Sequence, residues 1–308
     1  MTGAAFHHLR RRLAAAGGRP AGRAAEAAAP RREVPEIRQA TVVEPTLCPR
    51  EVGAALLIGE PVAFLDGVQH TELLGYVGTS PVVAARIAAG VRRRELRRSV
   101  GSVSLRRQLV IARAPALEAL GPLPAGSETV VLTDDEPPHP VGDHDRARAA
   151  VDAARTALEI AAARAFRERE PATWLVADGT LTVSPDWSRD PRTVGVVKSH
   201  GTLPFDGDEL ECYLTVPAGQ RTSVFAPSTR HVTPVHSWAL RLWPWQGRDL
   251  FHGLVRVEAA AADDPGALAD RVSRWLLAER APLANDPRQD RLLYGIHDAE
   301  RWLRARPA

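Results

Sequence analysis

Residues 145–179 read DRARAAVDAARTALEIAAARAFREREPATWLVADG, and the change of texture inside this stretch decides the fold class. Residues 145–170 are dominated by Ala, Leu, Arg and Glu and contain neither Gly nor Pro, which predicts a long helix, with Asp143 and Asp145 beside its start as candidate caps. After Pro171 the chain changes to the short apolar run TWLVA and stops at Asp178–Gly179, the pattern of a buried strand closed by a turn signal.

Outward from this helix–strand unit the same vocabulary recurs. VAFLDG from Val62, LLGYVG, LRRQLVIARA and TVVLTD read as strands of one sheet before the helix, and TVGVVKS follows it. WALRLWP and GLVRVEA alternate as an antiparallel pair would. A second helix is expected over Pro265–Glu279, with Asp264 as N-cap, Pro265 at its first position and Leu268, Val272, Trp275 and Leu276 on the buried face. A last helical stretch runs near Tyr294–Arg304. Strands, a long helix, strands again and closing helices make a mixed α/β domain with helices packed on a sheet.

Residues 1–40 are poor in large apolar side chains and rich in Ala, Gly, Pro and Arg. They read as a flexible basic arm outside the core, with one short helix around Phe6–Ala16, leaving 41–308 as the folded domain. The tract DDEPPHPVGDHD at residues 134–145 mixes His and Asp, but its Pro and Gly mark an irregular connector rather than a metal cluster.

A chain of 308 residues that is 44% hydrophobic and 25% charged can bury a sizeable core. Its apolar runs stop well short of the roughly 20 residues of a membrane span, and no secretory h-region follows Arg10–Arg12, so the expectation is a cytoplasmic protein without a membrane partner. Cys48 and Cys212 form neither a disulfide framework nor a C-x-x-C site. Net charge is +3, yet residues 86–107 carry eight Arg against Glu95. Arg92, Arg93, Arg94, Arg97, Arg98, Arg106 and Arg107 are therefore candidate phosphate contacts, and a solvated face of an Arg-rich protein is the equal alternative.

Two strands share one design: AFLDG ends at Asp66–Gly67 and LVADG at Asp178–Gly179. Each delivers a carboxylate at the end of an apolar run, where an unpaired charge is expensive, next to a Gly that opens the backbone; taken singly, each is also an ordinary turn. Glu159 lies in the apolar stretch ALEIAAA, and periodicity leaves it open between an inward carboxylate and a solvated partner of Arg155. Of the 40 Lys and Arg residues, the single lysine is Lys198, at the end of the run TVGVV. In a chain that otherwise uses Arg, it points to a need for a compact cation. Asp66, Glu159, Asp178 and Lys198 together suit metal-assisted phosphodiester hydrolysis, because Mg²⁺ and Mn²⁺ prefer carboxylate oxygens and an ammonium can stabilise phosphoryl charge.

In this order, FLDG, ALEIA, VADGTL and VGVVKSH resemble the NurA nuclease family, and GLVRVEA with Arg256 and Glu258 resembles its C-terminal strand. The resemblance covers about Pro61 to Arg304. It implies an RNase H-like mixed sheet with flanking helices, a Mn²⁺- or Mg²⁺-dependent DNA nuclease, and a homodimer working with a hexameric HerA-type ATPase. It also implies a further metal-site residue at the start of the last helix. His297 in YGIHDAE matches that residue type and place, although Ile296 stands where the family has Ala, and Asp286 in NDPRQDR is the second candidate. A non-catalytic DNA-binding or scaffolding subunit and a small-molecule phosphoesterase are the alternatives.

Overall fold

The computed structural model describes residues 6–21, 36–96, 98–133, 137–228, 234–282 and 289–305. In chain order the main elements begin with helix α1 (His7–Ala15) and strands β1 (Val62–Val77), β2 (Ser80–Glu95) and β3 (Arg98–Arg113). Helix α2 (Ala114–Leu120), β4 (Ser127–Leu132), α3 (Pro140–Arg169), β5 (Trp174–Asp178), α4 (Pro185–Arg189) and β6 (Thr193–Val197) follow. The last third holds α5 (Gly207–Leu214), β7 (Val235–Arg241), β8 (Leu254–Ala260), α6 (Pro265–Glu279) and α7 (Tyr294–Ala305).

All eight strands join one sheet in the order β7-β8-β6-β5-β1-β2-β3-β4, extended past β7 and at its flanks by short strands. β1, β2 and β3 form an antiparallel meander of long strands. β5 pairs parallel to β1 and β6 parallel to β5, while β8 and β7 return to antiparallel pairing. The expected WALRLWP–GLVRVEA pair is β7–β8, in register from Val235↔Ala260 to Arg241↔Leu254.

Strand alternation divides the core between the two faces. Ala63, Leu65, Leu175 and Ala177 point to the α3 side and pack on Ala147, Val151, Leu158, Ala162 and Phe166. Phe64, Trp174, Val176, Val194 and Val196 point to the other side, against Val272, Trp275 and Leu276 of α6 and Ile296 of α7. Gly295 is required there, since a Cβ at that position would stand 2.5 Å from the Phe64 ring. No helix of the described residues is long and apolar enough to cross a membrane.

α6 has the expected bounds, and Asp264 caps it by accepting from the Ala267 N–H at 3.0 Å. α3 differs from expectation: it begins at Pro140, inside the tract read as a connector. His139, not an Asp, is its N-cap, with Nδ1 accepting from the Gly142 N–H, and Pro140 suits the first helical position because its missing N–H has no helical partner. Asp143 is fully buried inside the first turn and bonded to Arg113 at 2.8 and 2.9 Å.

The N-terminal helix is present, but its exclusion from the core does not hold. Phe6, Leu9 and Leu13 are buried and pack with Leu74, Val82, Val110 and Leu120. Phe6, Leu9 and Leu13 lie at i, i+3 and i+7, one helix face, a stripe too short to stand out from the Ala/Arg composition around it.

Candidate functional site

β1 and β5 run parallel with Leu65 opposite Ala177, so the next residues, Asp66 and Asp178, emerge side by side at the carboxyl end of this pair. Both belong to the strand positions that face α7. β6 lies beyond β5 with Val196 opposite Asp178, and two residues later Lys198 reaches back: its Nζ is 2.9 Å from Asp178 Oδ1. The two D-G segments thus deliver their carboxylates to one place, but only Asp178 ends its strand: the end expected at Asp66–Gly67 is absent, because β1 stays paired with β2 and runs on through LLGYV to Val77. Carboxyl ends of parallel strands are where open α/β sheets characteristically bind ligands.

Glu159 arrives from the α3 face. Its Oε1 lies 1.9 Å from where a Cβ at residue 67 would stand, so the absent side chain of Gly67 is the gap through which this carboxylate approaches. Glu159 is only 5% exposed and is at the same time ion-paired with Arg155 one turn earlier. Both readings that periodicity had left open are therefore realised: the residue is buried and it has its helical partner. Gly195 on β6 is constrained in a similar way, since a Cβ there would be 2.6 Å from the Gly179 carbonyl.

The electrostatics follow from this crowding. Burial pushes the Asp66 carboxyl well above its ordinary range, with Asp178 adding repulsion and Lys198 offsetting part of it. The Gly67 N–H donates to Asp66 Oδ1 at 2.7 Å. Burial likewise pushes Glu159 up to about 7, opposed by Arg155 and reinforced by Asp178. His200, two residues beyond Lys198, is pushed by burial down to about 4 and is neutral at physiological pH. Both shifts come first from burial, which outweighs the nearby Lys198 and Arg155 charges. Among the described residues no three His, Cys, Asp or Glu side chains converge as a ready-made metal cluster. Asp178 is instead occupied by Lys198 at 2.9 Å and Glu159 by Arg155.

α7 crosses the α7-facing side of β1 and β2 and carries His297 close to Glu300, with Nδ1 and Oε2 3.6 Å apart. Glu300 is the residue that sequence reasoning missed: its charge is felt by the Asp66 carboxyl, and it also pairs with Arg304 at 3.0 Å. An acid one turn after His297 was the available signal, but at i, i+4 to Arg304 it reads as an ordinary surface pair. Asp286 lies outside the described residues, as does Arg97.

Most of the remaining arginines of the basic block are engaged within the fold. Arg92 pairs with Asp298 at 3.2 Å and stands over the Trp302 ring, and Arg94 bonds Glu279 at 2.7 Å above Phe64. Arg93 pairs with Glu95 and Glu170, Arg107 bonds Glu128 at 2.8 Å, and Arg106 donates to the Leu303 carbonyl at 3.1 Å. Several of these groups staple the β2–β3 hairpin to α6 and α7. Arg98, at the start of β3, is exposed.

The fold is shared with a nuclease. Compared with solved structures, the chain is similar to the NurA nuclease from Sulfolobus solfataricus, with a TM-score of 0.50 and 10% sequence identity over 83% of this chain and 81% of that one. At that identity the likeness is one of fold: a large mixed sheet with helices on its faces. No family model matches the chain, and no curated protein does.

Proposed function

We propose that the protein is a metal-dependent deoxyribonuclease that hydrolyses phosphodiesters at the Asp66–Asp178 end of the sheet. The observation that carries the reading is that Asp66 and Asp178 follow directly on the last β1–β5 pair, with Lys198 just past β6 bonded to Asp178 and Glu159 over Gly67. The NurA-like architecture supports it, and the β1–β3 meander continued by parallel β5 and β6 supports an RNase H-like description of the sheet.

In this reading Asp66, Glu159 and Asp178 hold Mg²⁺ or Mn²⁺, with His297 as the further residue from α7 and Asp286 as its alternative. The ion would supply an activated water and charge stabilisation at the scissile phosphate. The chain's own part is to keep the two aspartates adjacent, to keep Glu159 in reach, and to hold the Lys198 ammonium where phosphoryl charge develops. Lys198 bonds Asp178 at 2.9 Å and so also offsets the carboxylate repulsion while no cation is present. The strand would pass along the face bordered by the β2–β3 hairpin. Because Arg92, Arg93, Arg94 and Arg107 are held by carboxylates, we assign direct phosphate contact first to Arg98 and count the others, with Arg106, as the wall of the path. A second copy of the chain and a hexameric HerA-type ATPase, in the cytoplasm, complete the proposal on the strength of the motif resemblance.

The pairing of Glu159 with Arg155 favours a second reading, a DNA-binding scaffold that keeps the fold without the chemistry. Asp66→Asn separates the two. A nuclease loses cleavage while its DNA affinity is unchanged or rises; a scaffold has no cleavage to lose, and a small-molecule phosphoesterase turns over an aryl phosphodiester in place of DNA.

A further inference from the structure

Lys198 is held from behind as well as from in front. β6 ends at Val197, so Lys198 is the first residue of that chain segment beyond the strand ladder, and its carbonyl needs another donor. Arg291 supplies it: Nη1 donates to the Lys198 carbonyl at 2.6 Å. Arg291 sits in the single turn Gln289–Arg291 that leads into α7. Its neighbour Asp290 is buried and pins that turn in place, with Oδ2 accepting the Gly253 N–H at 2.6 Å and lying 3.5 Å from both His252 Nδ1 and Arg291 Nε. On the other side of Lys198, the His200 ring stacks on Phe251 at 4.9 Å and its Nε2 is 3.1 Å from the Leu254 carbonyl. The end of β6, the β7–β8 loop and the lead-in to α7 therefore meet behind the one lysine of the protein.

We infer that Arg291 is a positioning residue for Lys198: its hydrogen bond to the Lys198 carbonyl fixes the backbone from which the ammonium reaches Asp178, and it ties the approach to α7 to the same point. The contact is at the backbone, so it acts on where the lysine stem starts and not on its charge. The side chain of Arg291 keeps 27% of its surface exposed, and the buried Asp290 beside it keeps the Gly253 N–H and His252 as partners when Arg291 is removed. The consequence for rate rests on the nuclease reading; the consequence for the lysine does not.

The single lysine makes the test direct, because protein grown with lysine labelled at ¹⁵Nζ gives one side-chain ammonium signal. In the intact protein that signal reports an ordered, ion-paired group. In Arg291→Ala the expected result is a more mobile ammonium with faster hydrogen exchange, and a kcat for DNA cleavage lowered by roughly 10- to 100-fold at unchanged KM, the range seen when a group that orients a functional side chain is removed. Arg291→Lys, which restores a donor and the charge beside Asp290, should recover most of the rate with a melting temperature close to the parent, and the ammonium signal of Arg291→Ala is read well below its own melting temperature, since it loses the charge facing buried Asp290. An ammonium signal unchanged in Arg291→Ala overturns the inference, as does a rate loss that only follows a loss of stability. If the intact protein cleaves no DNA, the ammonium signal alone decides: loosening supports the inference, and persistence ends it while the nuclease reading falls separately.

Discussion

The Glu159 carboxylate occupies the space that a side chain at Gly67 would fill, with Oε1 1.9 Å from the position of the missing Cβ. Gly67 has no left-handed backbone conformation, so an alanine there meets no strain in φ. Gly67→Ala should therefore leave the strand intact, while the added methyl displaces the buried Glu159 side chain at a cost of about 1–3 kcal/mol. Since a shift of about 1 Å in a catalytic group can lower rate about 100-fold, we expect cleavage to fall by that order at temperatures where the variant stays folded. A fully active Gly67→Ala would show that the position of Glu159 does not matter.

The metal-free protein should lose stability as pH rises towards neutrality. Glu159 is raised from its ordinary 4.5 to about 7, so the folded state holds its proton more tightly than the unfolded state does. The stability this provides is complete below about pH 4.5 and is lost as pH rises through about 7, at most roughly 3 kcal/mol by linkage. Asp66 is shifted in the same direction. Chemical denaturation with EDTA present at pH 5 and pH 8 measures the slope; Glu159→Gln should flatten it, and an equal slope in both proteins would contradict the burial argument.

Lys198 tests the need for a compact cation. Lys198→Ala removes the ammonium that stands 2.9 Å from Asp178, and a loss of about 100-fold in kcat is expected for a donor that acts on developing charge. Lys198→Arg keeps the charge but places a broad planar fork in the same space, so it should recover only part of the rate. Full activity of the arginine variant would mean that charge alone is required.

The strand that ends at Asp178–Gly179 and the cap of α6 were legible because each is set by local chemistry, whereas the end expected at Asp66–Gly67 was not, since pairing with β2 carries β1 on to Val77. The meeting of Asp66 with Asp178 was suggested by their shared design, but it depends on the β1–β5 register, which is fixed by pairing across more than a hundred residues. Glu159 shows the limit most clearly. Its helix face is mixed, and nothing in ALEIAAA says that Gly67, on another element, leaves room for it. The pairing of the basic block was hidden for a related reason: charge counted along the chain does not record that Glu170, Glu279 and Asp298 come from elsewhere to meet Arg93, Arg94 and Arg92.

The N-terminal helix carries its own prediction. Leu13 is completely buried against the β1–β3 end of the sheet, so Leu13→Ala should destabilise the protein by roughly 2–5 kcal/mol, as cavity-forming core substitutions do. An arm outside the core would give almost no change in the same denaturation experiment.

The most direct measurement is cleavage of end-labelled linear single- and double-stranded DNA with Mn²⁺, Mg²⁺ or EDTA, comparing the intact protein with Asp178→Asn. The account predicts cleavage that requires the metal and is lost on the substitution, while DNA binding remains. Cleavage that persists in EDTA or in Asp178→Asn, or no cleavage at all even with a HerA-type ATPase supplied, would contradict it.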